Sequence, residues 1–581
     1  MAAPAHVASL TDLKARLPHP VDDVEMHPLA IPFADLPVRP ATAVGRLLAV
    51  PARSPAAAAL REALTVPQPF IPGPGRRQPP PLRFYTHTPG GLLLASRMAW
   101  LPLGWRPAID KRDKGEALPA ATAYTSPYGG LFPFQATAVA ALAARCRGVG
   151  GGMLVAPCGL GKSHMIAALI AALGRRVVVF VPKCFQAAQL ADTFRETMPQ
   201  LRVEVLDGSR RRGSKSGTAA PPPPHVLVVV LQSGARAARS TFDGVGVVVV
   251  DEAHHAPAAT MQAALANCRA AIVAGFTATP RRSDGCHVVL PHIFGPTVLT
   301  VHRPWMPVVV RRLVFGNALS GPRRLRDRHA VLSALGECAV WSATILRAAA
   351  ALAHRAKAAG GRILVMVDRR RLTLGLADWA SSGAAVSAAQ WARLATEEAR
   401  RPPRAPRLVE PALPPPAAAG ALFQGLRSEI FVGLQTGKEL ATAKAADADI
   451  YWSTTGMAYE GLDLTHVYAE LLACKPNWPQ QHAGRVLRVT TMAKVPEIVI
   501  TAEMAVPQLQ RNRTAQLRYF DNTEGWEVVD VPVAAVGAVL ARAGTPPKGP
   551  THAYLAARTA RHRGTKRPRP LPLPHASGVM Q

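Results

Sequence analysis

The chain has 581 residues, enough for about three to four domains, and its 68 lysines and arginines exceed its 37 aspartates and glutamates by 31, a surplus expected of a protein that binds a polyanion. Its seven cysteines are scattered and include no Cys-x-x-Cys pair, which argues against zinc ribbons and disulfide frameworks and indicates a reducing compartment. No apolar stretch reaches the length of about 18 residues that a membrane span needs, and no signal peptide is evident, so we expect a soluble intracellular protein without membrane partners.

Residues 1–125 are rich in proline, and their apolar runs are short and broken. Proline interrupts helices and central strands, so this segment differs from the more regular pattern that follows it. Large aromatic side chains lie in its second half, at Phe84, Tyr85, Trp100 and Trp105. We predict a small accessory domain here that is rich in β-structure.

A glycine-bearing turn follows at residues 156–163, which read Ala-Pro-Cys-Gly-Leu-Gly-Lys-Ser. A short apolar run precedes it and helix-forming residues follow, so the turn joins a buried strand to the N-terminus of a helix. Such a turn can cradle phosphates: its glycines let backbone N–H groups approach, its lysine reaches the outer phosphates, and its last hydroxyl can hold Mg²⁺. Ala156 stands where the usual pattern has a glycine. We predict that the nucleotide contacts Pro157, Cys158, Gly159, Leu160, Gly161, Lys162 and Ser163.

A second candidate element is the apolar run Val-Gly-Val-Val-Val-Val at 245–250, which ends in Asp251 and Glu252. The run is typical of a central strand in a parallel sheet, and carboxylates at the carboxyl end of such a strand face the crevice where ligands bind. Asp251 would then hold the metal and Glu252 would polarise the attacking water. The alternative is two solvated acids at a strand end. Zinc is not expected at His254 and His255, because no further ligand lies at suitable spacing.

Together these motifs resemble those of the superfamily-two helicases, in which Asp-Glu-Ala-His at 251–254 is the DEAH box. The resemblance implies that Gln135, which follows a phenylalanine, contacts the adenine, and that the strands at 177–182 and 225–233 lead to contacts with the nucleic-acid backbone. Thr-Ala-Thr-Pro-Arg-Arg-Ser-Asp-Gly at 277–285 resembles the motif that couples hydrolysis to strand movement. Its form is typical of DNA-directed relatives, which include repair, phage and large-DNA-virus helicases and the motor subunits of type III restriction enzymes.

Two later segments, at 455–463 and 481–488, resemble motifs from the second lobe of these helicases. The second of them, Gln-His-Ala-Gly-Arg-Val-Leu-Arg, matches the pattern Gln-x-x-Gly-Arg-x-x-Arg. Two arginines three positions apart share one helix face, so both can reach the γ-phosphate, and the resemblance implies that they are arginine fingers. The alternative for each arginine is a solvated surface charge. The residues that the resemblance assigns to the cleft are Gly461, Asp463, Gln481, Arg485 and Arg488.

The resemblance implies an α/β fold in which two RecA-like parallel-sheet lobes follow one another. We predict an N-terminal accessory domain at 1–125, an ATP-binding lobe at 126–300, a helicase C-terminal lobe at 301–505, and a C-terminal extension with a basic tail at 506–581. Apolar runs at 362–367 and 449–454 predict two strands of the second lobe. The accessory domain either contacts duplex DNA or covers the first lobe.

We therefore expect an ATP- and Mg²⁺-dependent helicase or translocase whose partner is nucleic acid, with DNA preferred over RNA. Three alternatives stay open: a translocase that does not unwind, an RNA helicase, and a nucleic-acid-binding scaffold that has lost its ATPase activity. Intact Lys162, Asp251, Glu252 and the two arginines oppose the last. The sequence leaves protein partners and oligomeric state open, and the basic run Lys-Arg-Pro-Arg at 566–569 leaves a nuclear or virion-associated location open.

Overall fold

The computed structural model divides into two compact units, Met1–Pro304 and Trp305–Gln581. The structure describes residues 24–26, 35–44, 47–68, 78–96, 98–126, 129–208, 222–282, 284–301, 307–315, 338–381, 388–399, 419–433, 443, 446–459, 464, 467–473, 495–502, 517–523, 525–544, 549, 551 and 553. Within these residues, no helix is long and apolar enough to cross a membrane.

The N-terminal part of the first unit is mainly β-structure. Its elements are β1 (Val24–Met26), β2 (Val38–Val44), β3 (Leu47–Pro51), α1 (Pro55–Ala63), β4 (Thr65–Val66), β5 (Leu82–Arg83), β6 (Tyr85–His87), β7 (Leu92–Ser96) and β8 (Arg106–Asp110). Five strands form a sheet in the order β6-β7-β3-β2-β8, and β4 pairs with β5. Alternate residues of β3 and β7 are buried, which is the pattern of a sheet with one face on a core.

The rest of the first unit alternates strands and helices. Its elements are α2 (Pro133–Val149), β9 (Gly151–Val155), α3 (Lys162–Leu173), β10 (Val177–Val181), α4 (Cys184–Thr197), β11 (Val203–Leu206), β12 (Val226–Val230), α5 (Leu231–Arg236), β13 (Val247–Asp251), α6 (Ala259–Ala266), β14 (Ile272–Thr277), α7 (Leu290–Phe294) and β15 (Thr297–Val301). The sheet order is β1-β15-β9-β14-β13-β10-β12-β11. All neighbouring strands are parallel except β1, which runs antiparallel to β15.

Both faces of this sheet are covered, which explains why strands such as β10, β12 and β13 are almost entirely apolar and rich in valine. Along β13, Val247 and Val249 belong to one buried cluster, whereas Val248 and Val250 belong to another. The first cluster contains side chains of α2, α3 and α4. The second contains side chains of α6 and α7 together with residues of the N-terminal part, among them Trp100.

The second unit contains one seven-stranded sheet. Its elements are β16 (Val309–Val314), α8 (Ala339–Ala358), β17 (Arg362–Val367), α9 (Arg370–Ala380), α10 (Ala388–Ala399), α11 (Ala419–Leu422), β18 (Ser428–Phe431), β19 (Ile450–Thr454), α12 (Thr455–Tyr459), β20 (Val467–Ala473), β21 (Glu497–Ala502), β22 (Val528–Pro532) and α13 (Val536–Leu540). The order is β18-β19-β17-β20-β21-β16-β22, and every neighbouring pair is parallel. The predicted fold class, two RecA-like parallel sheets in tandem with an N-terminal region, is confirmed.

A buried ionic cluster joins the end of α13 to this second sheet. Glu497 is 1% exposed and accepts contacts from Arg311, whose Nε lies 3.3 Å away, and from Arg355. Both arginines also donate to carbonyls at the end of α13: Arg311 Nη1 to Val539 at 2.6 Å and Arg355 Nη1 to Leu540 at 2.7 Å. Cations near a helix C-terminus are attracted to the negative end of the helix dipole. The two arginines therefore stabilise the contact between α13 and the sheet. The four-part domain division itself stays a prediction.

Candidate nucleotide site

The glycine-bearing turn lies between β9 and α3 in the first unit. Gly159 and Gly161 both adopt left-handed backbone conformations, with φ of 83° and 75°. At Gly161 an added Cβ would lie 2.5 Å from Nε2 of Gln135, so a larger residue would both strain the backbone and push against its neighbour. The turn leads directly into Lys162, the first residue of α3, and the backbone N–H groups and dipole of a helix N-terminus favour an anion. This geometry suits a phosphate.

The side chain of Gln135 joins the start of α2 to this turn. It is 5% exposed. Its Nε2 donates to the Leu160 carbonyl at 2.9 Å, and its Oε1 accepts from the Phe132 backbone N–H at 2.9 Å. Phe132 and Phe134 stack at a centroid distance of 5.9 Å beside it. The structure therefore ties the predicted adenine-contacting glutamine to the turn itself.

Lys162 lies close to the two acids that end β13. Its Nζ donates to the Ala156 carbonyl at 3.5 Å. Its positive charge also acts to lower the pKa of both Asp251 and Glu252. The sheet order explains the proximity, because β14 alone separates β9 from β13 and all three strands end at the same edge.

The two acids differ in their pKa values. Burial, and then the charge of Glu252, raise the pKa of Asp251 to about 6. Burial also opposes the ionisation of Glu252, but the imidazole of His254 and the ammonium of Lys162 outweigh it and lower the pKa of Glu252. Neighbouring carboxylates with separated pKa values are a frequent feature of catalytic sites. Glu252 is therefore the better candidate for a negatively charged group that acts on water.

Glu252 also has a strained backbone. Its φ is 52°, and among the described residues it alone combines a side chain with a positive φ. Such conformations cost energy and persist when the surrounding structure holds them, and they concentrate at functional sites. Its Oε2 is buried without a hydrogen bond of good geometry to the described residues. An acceptor with spare capacity in this position suits a bound water.

His254 connects the end of β13 to the end of β14. Its Nδ1 lies 3.0 Å from Thr277 Oγ1 and 3.3 Å from Glu252 Oε2. The Thr277 hydroxyl also accepts from the Thr279 backbone N–H at 3.2 Å. The His255 ring lies 4.2 Å from that of His254, and burial, together with the His254 charge, lowers the pKa of His255 to about 4, so His255 is neutral at pH 7. The DEAH segment and the Thr-Ala-Thr-Pro segment thus form one bonded group.

The structure brings together the predicted residues of the first lobe. Gln135, the turn at 157–163, Asp251 and Glu252 all lie at one edge of one sheet. The remaining predicted site residues lie outside the described part of the chain, and they are Gly461, Asp463, Gln481, Arg485 and Arg488. Their roles stay predictions.

Two features of the site were not predicted from the sequence. One is the His254–Thr277 contact, for which the only signal was that the two motifs end neighbouring strands. The other is the left-handed conformation of Glu252, for which the sequence carries no signal, because acids rarely adopt it.

The residues present fit ATP with Mg²⁺. In the described residues, no group of three or more His, Cys, Asp or Glu side chains is arranged to hold a metal. Mg²⁺ sites of phosphate-binding enzymes need fewer protein ligands, because one or two protein oxygens act together with phosphates and waters. The hydroxyl of Ser163 at the start of α3 and the carboxylate of Asp251 would supply such oxygens.

Residues 129–282 match the family model of the res subunit of type III restriction enzymes. A search of curated proteins found no significant match. The matched segment contains the glycine-bearing turn, the Asp-Glu-Ala-His segment at 251–254 and the Thr-Ala-Thr-Pro segment. Together with the site geometry, it supports an ATP-hydrolysing enzyme of the helicase type.

Several solved structures align with this chain. S. cerevisiae Dbp5 bound to RNA and ADP BeF3 is 12% identical, with a TM-score of 0.46 over 71% of this chain and 96% of that one. T4 UvsW is 14% identical, with a TM-score of 0.33 over 85% of this chain and 100% of that one. Mycobacterium smegmatis helicase Lhr bound to ssDNA and AMP-PNP is 18% identical, with a TM-score of 0.43 over 71% and 51%.

Proposed function

We propose that this chain is an ATP-dependent helicase or translocase that acts on DNA. The observation that carries the proposal is the meeting of three strand ends: the turn with Lys162 after β9, Asp251 and Glu252 at the end of β13, and Thr277 at the end of β14. A phosphate cradle, a pair of acids and a residue bonded to the DEAH histidine are the parts that hydrolysis coupled to movement requires.

The first lobe binds the nucleotide and prepares water for attack. Backbone N–H groups around Gly159 and Gly161 hold the phosphates, Lys162 neutralises charge on the outer ones, and Gln135 contacts the adenine. Ser163 and Asp251 would hold Mg²⁺, which, when bound, would neutralise charge that develops on the phosphates. Glu252 orients the attacking water and accepts its proton.

The second lobe completes the site in this proposal. In this proposal Arg485 and Arg488 act on the γ-phosphate as arginine fingers, and Gln481, Gly461 and Asp463 have the nucleotide- and DNA-directed roles that the resembled motifs imply. These five roles rest on the resemblance of the motifs. Arginine fingers of this kind contribute about 10³–10⁵ to kcat in phosphoryl transfer. Closure and release of the lobes with each turnover moves the strand.

Two features support DNA over RNA as the partner. The Thr-Ala-Thr-Pro form at 277–280 is the one typical of DNA-directed helicases, and the matching family model is named for restriction enzymes, which act on DNA. The net charge of +31 suits either polymer, since both are polyanions. The restriction match also favours a second candidate, a DNA translocase that does not separate strands.

Steady-state ATP hydrolysis tests the proposal. The purified chain is assayed without polymer and with single-stranded DNA, duplex DNA or single-stranded RNA, and Lys162→Ala is the control. We expect strong stimulation by DNA and no turnover by the variant. Stimulation by RNA alone would overturn the DNA assignment, and no turnover under any condition would favour the inactive scaffold. A strand-displacement assay on a tailed duplex then separates the helicase from the translocase.

A further inference from the structure

Arg282 forms a fork with Asp284 immediately after the Thr-Ala-Thr-Pro segment. Its Nε lies 2.9 Å from Asp284 Oδ1, and its Nη2 lies 2.5 Å from Oδ2. Its remaining terminal nitrogen, Nη1, donates to the backbone carbonyl of His254 at 2.7 Å. The arginine side chain is 20% exposed and the aspartate side chain 40% exposed. One guanidinium therefore bonds both to its own segment and to the DEAH segment.

Asp284 is itself held from the other side. Its Oδ1 accepts from the backbone N–H of Cys286 at 3.0 Å, at the start of a 3₁₀ helix over Cys286–Val289. That helix runs directly into α7, whose Leu290 and Phe294 are fully buried. The carboxylate is thus fixed to a packed part of the first unit, and it limits the positions that the arginine can take.

The carbonyl that Arg282 holds lies two residues beyond the strained Glu252. The chain turns there through a 3₁₀ helix over Ala253–His255, in which the His255 N–H donates to the Glu252 carbonyl at 2.9 Å. A left-handed glutamate is costly and persists only if neighbouring bonds hold it. The bond to the His254 carbonyl is one such bond, because it fixes the far end of this turn.

We propose that Arg282, braced by Asp284, is a positioning residue for ATP hydrolysis. It holds the turn from Glu252 to His255, so that the Glu252 carboxylate stays where it can orient water and the His254 ring stays against Thr277. Arg282 acts through Glu252 and His254 rather than on the nucleotide itself. This inference rests on the proposed function, in which Glu252 acts on the attacking water.

A second fork of the same kind provides a matched control. Arg112 and Asp110 are also two residues apart, with Nε 2.8 Å from Oδ1 and Nη2 2.5 Å from Oδ2. The Arg112 side chain is 8% exposed, and it lies beside Gly150, just before β9 begins. The phosphate turn follows the other end of β9, so this fork lies at the opposite edge of the sheet. Loss of the Arg112 fork should affect stability without affecting the site.

The test compares Arg282→Lys with Arg112→Lys, each of which keeps the charge and loses the planar fork. With saturating single-stranded DNA, we expect Arg282→Lys to lower kcat about tenfold while the KM for ATP stays within about twofold, the pattern of a lost transition-state interaction. Hydrogen exchange should quicken at the amides of His255 and Ala256. Arg112→Lys should leave kcat, KM and these two amides unchanged.

An exchange variant separates positioning from simple stabilisation. Arg282→Asp combined with Asp284→Arg restores an ion pair. Its arginine is at position 284, however, two residues away from the position whose side chain donates to the His254 carbonyl. We expect the unfolding midpoint to recover relative to Arg282→Asp alone, while kcat stays low. Recovery of kcat in the exchange variant would overturn the positioning role.

The outcomes also separate this inference from the proposed function. A wild-type chain that hydrolyses ATP, together with an Arg282→Lys variant of equal kcat, would overturn the positioning role alone. A raised KM with unchanged kcat would do the same, because it would place Arg282 in nucleotide binding. A wild-type chain without turnover would overturn the proposed function and with it the positioning role of Arg282 in hydrolysis. Unchanged hydrogen exchange at the His255 and Ala256 amides of Arg282→Lys would show that Arg282 does not hold the turn.

Discussion

Two glycines at the ends of α3 allow the phosphate turn to be tested against an internal control. Gly161 precedes the helix and Gly174 follows it, and both are left-handed, with φ of 75° and 62°. At Gly174 an added Cβ would meet no atom within 4 Å. At Gly161 it would lie 2.5 Å from Gln135 Nε2. Substitution by alanine therefore imposes similar backbone strain at both sites but disturbs a neighbour at one only.

The structure allows the two costs to be estimated. A left-handed conformation costs an alanine about 1–2 kcal/mol relative to glycine, so Gly174→Ala should lower the free energy of unfolding by about that amount. At Gly161 the amide of Gln135 must also move away from the Leu160 carbonyl, which now lies 2.9 Å from it. A buried polar group left without its partner costs about 1–3 kcal/mol more. Gly161→Ala should therefore cost about 2–5 kcal/mol.

Thermal unfolding and ATP turnover measure the two effects. For domains of this size, one kcal/mol corresponds to a midpoint shift of about 2–4 °C, so the larger cost at Gly161 should be visible as a lower midpoint. Gly161→Ala should also lose at least about tenfold in turnover, since its Cβ and the displaced amide alter the phosphate cradle. Gly174→Ala should retain turnover. Equal midpoint shifts with full turnover by Gly161→Ala would refute the reasoning.

Three further predictions concern the acids and a thiol of the site. Glu252→Gln should lower kcat by at least about 100-fold while ATP binding is kept, and a variant with normal turnover would show that Glu252 does not act on water. Burial raises the pKa of Asp251 to about 6, so protonation removes the charge of this carboxylate as the pH falls through about 6. The Mg²⁺ concentration for half-maximal turnover should therefore rise below this pH. A constant Mg²⁺ requirement would contradict the metal role of Asp251. Mg²⁺ and ATP should slow alkylation of Cys158, which is half-buried in the turn, but not alkylation of the exposed Cys184. Peptide mass spectrometry measures both rates. Equal alkylation rates at Cys158 with and without nucleotide would place the nucleotide elsewhere.

The sequence predicted the parallel sheets well, because buried parallel strands are continuous apolar runs. The run predicted at 362–367 is the strand Arg362–Val367, and the run at 177–182 contains the strand Val177–Val181. The pairing of strands that lie far apart in the sequence was not predictable in the same way. The strand Val528–Pro532 pairs with Val309–Val314, more than two hundred residues earlier, and nothing in the pattern of either segment indicates this partner.

The candidate site was predictable as far as it depends on strand ends. Lys162, Asp251 and Glu252 follow central strands, and parallel strands bring their carboxyl ends to one edge. Contacts made to backbone carbonyls carry no signal in the residue type of the partner. The bond from Arg282 to the His254 carbonyl is of this kind.

The packing of the N-terminal part bears on two roles that the sequence left open for it. It was expected either to contact duplex DNA or to cover the first lobe. Trp100, 1% exposed, lies in the same buried cluster as Val248 of the central strand and Phe294 of α7. His292 Nδ1 also lies 3.2 Å from the Ala99 carbonyl. Without this part, the side chains of this cluster that pack against it would lose their cover from water, and burial of such apolar side chains is worth about 1.5–3 kcal/mol each. The described residues of this part therefore pack against the first lobe, and contact with duplex DNA stays a prediction.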